Sequence, residues 1–224
     1  MAPSKEGINL NTFNCRGMAQ GSKRRTIFKW LKKYHEGITL LQETHTVPKV
    51  ENEWLKEWGS EIIFSNGTQN SRGVAILFPK GFDYIISDID RDEDGRVLIV
   101  NLTTELGPMA IANVYFPTKD NTYAQIQVID KLNSLLENVQ YENLCVGGDF
   151  NICQNPLKDK VGGINQPKSD SSEKLDNLKE TLNLIDVCCT INPDSIQCTR
   201  RQIGRRGSCP ITSQLLDNFN SSSI

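Results

Sequence analysis

Histidine is scarce in this 224-residue sequence: His35 and His45 are the only two. The seven cysteines, Cys15, Cys145, Cys153, Cys188, Cys189, Cys198 and Cys209, are odd in number, scattered, and form no CxxC pair. Neither residue type therefore offers the tightly spaced nitrogen and sulfur ligands of a zinc site. Free thiols fit a reducing compartment, so the expected location is intracellular, nuclear or cytoplasmic. No apolar run exceeds that of Val74 to Phe78, far short of the ~18–20 residues of a membrane span. Met1 to Gly7 is polar and charged, without the apolar core of a secretory signal. Nor does one charge dominate: 25 Lys+Arg against 27 Asp+Glu leave a net charge of −2. That argues against holding DNA by bulk charge and leaves room for one local basic face.

What is present is an ordinary globular composition. Hydrophobic residues make up 38%, and the 16 glycines bring the apolar share near the globular average. No linker rich in Pro, Gly or Ser divides the chain, so residues 1–224 read as one domain. Apolar alternation predicts strands at Ile8–Cys15, Ile38–Leu41, Glu61–Ser65, Gly73–Phe78, Phe82–Asp88, Val97–Thr103, Met109–Tyr115 and Leu144–Gly147. Helical spacing predicts helices at Ser22–His35, with Lys and Arg on its outer face, at Tyr123–Val139, and near Ser171–Leu184 with an Asp170/Glu173 capping box. A further helix, without an assigned range, follows the second strand. The central strands lack the helical crossovers of a parallel sheet. The pattern therefore predicts an α/β fold of two sheets packed face to face with helices outside.

Four strands end in a polar residue. Asn14 ends the first, Glu43 follows Leu40-Leu41-Gln42, Tyr115 follows Asn113-Val114, and Asp149 and Asn151 follow Val146-Gly147-Gly148. One carboxylate at one strand end is ordinarily a cap or turn former. Four such ends in order, with GGDFN among them, describe a pocket of two carboxylates, two amides and a phenol. Residues i and i+2 of an extended chain share a face, so Asp149 and Asn151 can address one site. Without a His or Cys cluster, the hard oxygens of Glu43 suit Mg²⁺, with Mn²⁺ as the substitute. Asp149 is placed to activate water, while Asn14, Asn151 and Tyr115 can hydrogen-bond phosphate oxygens. The fitting chemistry is metal-assisted hydrolysis of a phosphoester.

At LQETH, NVYFP and GGDFN, with Asn14 ahead of them, the chain resembles the endonuclease/exonuclease/phosphatase superfamily, the group of pancreatic deoxyribonuclease and the exonuclease-type AP endonucleases. It is most similar to the AP-type endonuclease domain of LINE non-LTR retrotransposons, because a His follows the Glu-Thr pair where the repair enzymes carry Lys. The likeness continues through Leu184-Ile185-Asp186, Asn192-Pro193-Asp194-Ser195, Thr199 and Leu216-Asp217, over roughly residues 7–219. It implies a deoxyribonuclease-like four-layer α/β sandwich of two mixed sheets. It also implies that Asp217 belongs to the active site and that Thr199 hydrogen-bonds DNA. Arg200, Arg201, Arg205 and Arg206, around Gly204, fall where the family carries a hairpin that enters the DNA groove. A solvated charge run is the bland reading of those arginines, as it is of Lys23-Arg24-Arg25. Ser71-Arg72-Gly73 is either a turn or a further DNA contact.

Two features depart from the pattern. The family's last motif, Ser-Asp-His, lies some twenty residues beyond the Leu-Asp pair, whereas here seven residues follow Asp217. Cys188-Cys189 replace the usual Trp or Arg. The expectation is a C-terminally truncated copy lacking its last strand and one catalytic group. Three functions stay open. The first is an Mg²⁺-dependent endonuclease that nicks DNA to leave a 3′-hydroxyl for target-primed reverse transcription, with a reverse transcriptase in the parent polyprotein. The second is an inactive remnant that at most binds nucleic acid, and the third an inositol-phosphate or phospholipid phosphodiesterase.

Overall fold

A computed structural model describes residues 7–118, 121–152, 154, 167–187 and 190. Segments 200–201, 208–209 and 212–217 are described by their strand pairing alone. In chain order the elements are β1 (Leu10–Asn14), α1 (Gly21–Tyr34), β2 (Ile38–Gln42), a 3-10 turn at Pro48–Val50 and α2 (Glu51–Trp58). Next come β3 (Ile62–Ser65), β4 (Val74–Leu77), β5 (Ile85–Arg91), β6 (Val97–Thr104) and β7 (Gly107–Tyr115). The chain continues through α3 (Thr122–Leu136), β8 (Asn143–Asp149), α4 (Asp170–Thr181), β9 (Leu184–Asp186), β10 (Arg200–Arg201), β11 (Ser208–Cys209) and β12 (Thr212–Asp217). No described helix is long and apolar enough to cross a membrane.

Among the described residues the strands form a four-stranded sheet ordered β1-β2-β4-β3, a six-stranded sheet ordered β5-β6-β7-β8-β12-β9, and a β10-β11 ribbon. The two parallel pairs, β1 with β2 and β7 with β8, are those joined by long helices, α1 and α3, as a parallel return requires. The two main sheets are both mixed, as expected.

Period-two alternation decides which side chains meet. In β2, Ile38 and Leu40 face the second sheet, with Val74 and Ile76 of β4 and Leu98, Val100, Leu102, Met109 and Ile111 of β6 and β7. Leu41, Ala75 and Leu77 point the other way, onto Phe28 and Leu31 of α1 and Trp54 and Trp58 of α2. On the far side, Val97, Ile99, Ala110, Ala112 and Val114 pack on Val128, Ile129, Leu132 and Leu136 of α3 and Leu175 and Leu178 of α4. The layers run helix, sheet, sheet, helix.

The structure corrects two local expectations. Arg24 does not lie on a solvated face. It is 2% exposed, with its Nε 2.6 Å from Glu57 Oε2, 3.3 Å from Glu53 through Nη2, and its guanidinium 5.3 Å over the Trp54 ring. It therefore ties α1 to α2. The cap of α4 is Ser169, whose hydroxyl accepts the Ser172 N–H. Asp170 and Glu173 sit in the first turn, where the helix dipole favours acids.

Candidate active site

The faces that form the inter-sheet core also build the site. Along β7 the face carrying Met109 and Ile111 continues to Asn113 and Tyr115, and along β2 the face of Ile38 and Leu40 continues to Gln42. The interior thus turns polar one step before the rim. Gln42 Nε2 donates to Asn113 Oδ1 at 2.8 Å, and Asn113 Nδ2 donates to the carbonyls of Leu41 and Ala75 at 2.9 Å each. Both side chains are fully buried. This clamp fixes the two sheets against each other immediately below the rim carboxylates. The signal for Asn113 in the sequence is its place in the NVYFP run, alternating in phase with Tyr115.

Above the clamp, Asn14 joins the two carboxylates. Its Nδ2 donates to Glu43 Oε1 at 2.8 Å and to Asp149 Oδ2 at 2.7 Å, while its Oδ1 accepts the Arg16 N–H at 3.0 Å. Both amide hydrogens are consumed, so Asn14 positions the carboxylates; the expected phosphate contact would compete with them. Asp149 is 3% exposed and also accepts the Asn151 N–H at 3.3 Å. Asn151 does not continue an extended strand. At φ 49° it turns left-handed, and its Nδ2 donates to the Phe116 carbonyl at 2.9 Å. It shares the site through that turn.

Glu43 is also left-handed, at φ 52°, a conformation that costs a residue with a Cβ about 1 kcal/mol or more. Three backbone bonds impose it. Glu43 O accepts the Gly17 N–H at 2.7 Å, Thr44 N donates to Gly73 O at 3.0 Å, and His45 N donates to Arg72 O at 2.9 Å. The turn throws the Glu43 carboxylate outward to Asn14 and Tyr115. Gly73 suits its place because a Cβ there would strike Thr44 Oγ1. Gly148 likewise has φ 146°, and a Cβ would strike the Val114 carbonyl of the neighbouring strand.

Burial, the Glu43 charge and a hydrogen bond to Glu43 all push the Tyr115 phenol well above its ordinary pKa. It therefore remains a hydrogen-bond donor at neutral pH. His45 sits in the turn after Glu43 with its ring against Gly17. Burial lowers its pKa, against the pull of Glu43. His35 closes α1 with its ring 4.3 Å from Trp30, outside the rim cluster.

Asp217 departs from expectation. β12 runs antiparallel to β8 with Thr212 opposite Asp149 and Leu216 opposite Cys145, and Asp217 pairs with Leu184 of β9. Five residues of strand, about 17 Å, separate Asp217 from the position beside Asp149. The strand begins at Thr212, and this register does not bring Asp217 to the rim. Arg200 and Arg201 form one arm of the β10-β11 ribbon, paired with Cys209 and Ser208. Thr199, Arg205 and Arg206 lie outside the described residues.

Among the described residues, no three or more His, Cys, Asp and Glu gather into a metal-binding cluster. The Glu43 carboxylate offers hard oxygen at the rim, the donor type that Mg²⁺ takes alongside its own waters.

The chain matches the family described as the Endonuclease/Exonuclease/phosphatase family over residues 11–177. It is 28% identical over 228 residues to the transposon TX1 uncharacterized 149 kDa protein of Xenopus laevis, covering 97% of this chain and 17% of that protein. Its fold superimposes on an AP endonuclease from Archaeoglobus fulgidus with a TM-score of 0.71 at 18% identity, covering 94% of this chain and 86% of the other. A second likeness is to D. rerio TDP2 complexed with a single-strand DNA product, with a TM-score of 0.65 at 12% identity and coverage of 96% and 85%. The matched region contains every strand end that meets at the rim, and by it the chain belongs to the Endonuclease/Exonuclease/phosphatase family.

Proposed function

We propose that this chain is a Mg²⁺-dependent DNA-nicking phosphodiesterase domain of the retrotransposon type. It leaves a 3′-hydroxyl from which a reverse transcriptase in the same parent polyprotein primes synthesis. The observation that carries this reading is the single Asn14 amide holding Glu43 and Asp149 together at 2.8 and 2.7 Å. Similarity to a transposon protein and to folds that act on or bind DNA supports it.

Mg²⁺, or Mn²⁺ in its place, would be held by Glu43 and would supply charge neutralisation at the phosphate and the departing oxygen. Asp149 takes a proton from the attacking water. Its carboxylate is oriented by donation from Asn14 and from the Asn151 backbone N–H. Tyr115, protonated because its pKa is raised, would turn its single O–H from Glu43 to a non-bridging phosphate oxygen when DNA binds. Asn151 fixes the loop after β8 to the loop after β7 through Phe116, and the ribbon arginines Arg200 and Arg201, with Arg205 and Arg206, grip flanking phosphates.

The test is nicking of supercoiled plasmid with Mg²⁺ by wild type, Glu43→Ala and Asp149→Ala. The expected result is wild-type nicking, closed by DNA ligase after it, and loss of at least a hundredfold in each variant. Equal rates in all three refute the proposal. A wild type that binds DNA without nicking it leaves the chain as a binding remnant.

A further inference from the structure

Arg96 has no place in the chemistry so far, yet it is built into the rim. It directly precedes β6, in a turn held by Asp92, whose Oδ1 accepts the N–H groups of Arg96 and Val97 at 2.9 Å each. Tyr115 N donates to Arg96 O at 2.8 Å, and Arg96 Nη1 donates back to Tyr115 O at 3.2 Å. The guanidinium carbon lies 5.3 Å from the Tyr115 ring centroid, within range of a cation–π contact. The cation is thus fixed against the phenol that faces Glu43.

Its charge, in contrast, has no ion-pair partner among the described residues: no carboxylate there lies within ion-pair distance of Arg96. Asp94 pairs with Arg72, and Asp92 is engaged with backbone N–H groups and the Ser65 hydroxyl. The guanidinium is half-buried, and burial is the main influence lowering its pKa. The Arg72 cation adds to that lowering, while Tyr115, Asp94 and Asp92 oppose it. The two arginines are brought together by the bond from Gly73 N to Gly95 O at 2.9 Å, and Arg72 itself is left-handed at φ 63°. A half-desolvated guanidinium beside a second one is unfavourable unless an anion completes the arrangement. Arginine's planar fork, with most of its five donors free of protein partners here, matches phosphate oxygens.

We propose that Arg96, stacked on Tyr115, is a phosphate-binding residue of the site, seating a non-bridging oxygen of a DNA backbone phosphate beside Glu43. This rests on the phosphodiesterase reading above. Arg96 then supplies a fixed positive charge at a rim otherwise lined by two carboxylates. Tyr115 sets the angle of the guanidinium, so charge alone is not sufficient.

The experiment uses the full chain with Arg96→Met, which preserves the stem on the ring, and Arg96→Lys, which preserves charge. Duplex binding is measured over a series of salt concentrations with EDTA present, and nicking with Mg²⁺. Arg96→Met should lower the slope of log K against log salt by about one and reduce kcat/KM at least thirtyfold. Arg96→Lys should keep the slope while recovering only part of kcat/KM. An unchanged slope and rate in folded Arg96→Met overturns the inference while leaving the phosphodiesterase reading intact. A wild type that neither binds nor nicks DNA overturns both. If Arg96→Met does not fold, phenylglyoxal labelling of the wild type decides: Arg96 should be protected by saturating duplex, and equal labelling with and without DNA overturns the inference.

Discussion

Replacing Asn14 tests the arrangement on which the whole site depends. Its one nitrogen serves Glu43 Oε1 at 2.8 Å and Asp149 Oδ2 at 2.7 Å, so the two acceptor oxygens are no more than about 5.5 Å apart. At an effective dielectric constant of about 20, two unit charges at that distance repel by ~3 kcal/mol. Each charge-assisted bond that opposes this repulsion contributes about 1.5–3 kcal/mol. Asn14→Ala removes both bonds and leaves a half-open rim that water enters, which recovers part of the loss. A net penalty of about 3 kcal/mol in the transition state corresponds to a fall of roughly two hundredfold in kcat/KM. Asn14→Asp adds a third carboxylate between the first two and should cost more, at least a thousandfold at neutral pH. The assay is plasmid nicking under single-turnover conditions, with urea unfolding of each variant measured alongside. Folded Asn14→Ala within fivefold of wild type would refute the claim that one amide sets the relation between the carboxylates. So would an Asn14→Asp variant more active than Asn14→Ala.

Three further outcomes follow from the packing. Asn113→Ala strips the inter-sheet clamp of two donations and one acceptance, and should cost about 3 kcal/mol in urea unfolding; a loss under 1 kcal/mol would show that the clamp is dispensable. Glu57→Gln takes from the buried Arg24 its nearer charged partner and leaves it the exposed Glu53, at a cost of about 3 kcal/mol at neutral pH. The Arg24 hydrogen bond holds the Glu57 pKa below its ordinary 4.5. Its contribution is therefore present above that pH and lost as pH falls through the lower folded value, and the variant's stability should depend less on pH in that acid window. Cys15 is buried, its thiol pushed up to about 12 chiefly by desolvation. Iodoacetamide at pH 8 should therefore leave it unmodified in the native chain and label it in urea, as read by peptide mass spectrometry.

The fold and much of the site were legible because both obey one periodicity. Met109, Ile111, Asn113 and Tyr115 alternate along β7, and the same alternation that marks a half-buried strand delivers Tyr115 to the rim. The strand ends at Asn14, Glu43 and Asp149 could be read in the same way, and they do meet. What one strand cannot reveal is how a side chain spends its hydrogen bonds. Asn14 reads as a phosphate donor until its partners, 29 and 135 residues away, are seen to use both its hydrogens. Arg24 reads as a solvated cation until α2 packs over it with Glu53 and Glu57. The left-handed turns at Glu43 and Asn151 carry no glycine to announce them, since tertiary backbone bonds impose them. Asp217 is read as a site residue only through its likeness to the family's Leu-Asp pair, and such a likeness does not fix the register of the strand that carries it.

These differences share a physical direction. Every residue whose role changed is polar, and each is committed by contacts between chain segments far apart in sequence. Apolar positions tolerate being read by pattern, because burial is non-directional and any neighbouring layer satisfies it. Polar groups need particular partners at about 3 Å, so their roles are fixed only when the layers close. The rim lies where the apolar inter-sheet faces end in Gln42 and Asn113, before solvent begins. There the enclosure is dry enough to raise the Tyr115 pKa and open enough to admit a phosphate. Moving the rim carboxylates one pair inward would place them among Leu40, Ile76 and Ile111, where they could not both stay charged. Moving them outward would lose the clamp that holds them in register. The polar step at Gln42 and Asn113 is thus what allows one sandwich to carry a rigid apolar interior and a carboxylate site within two residues of each other.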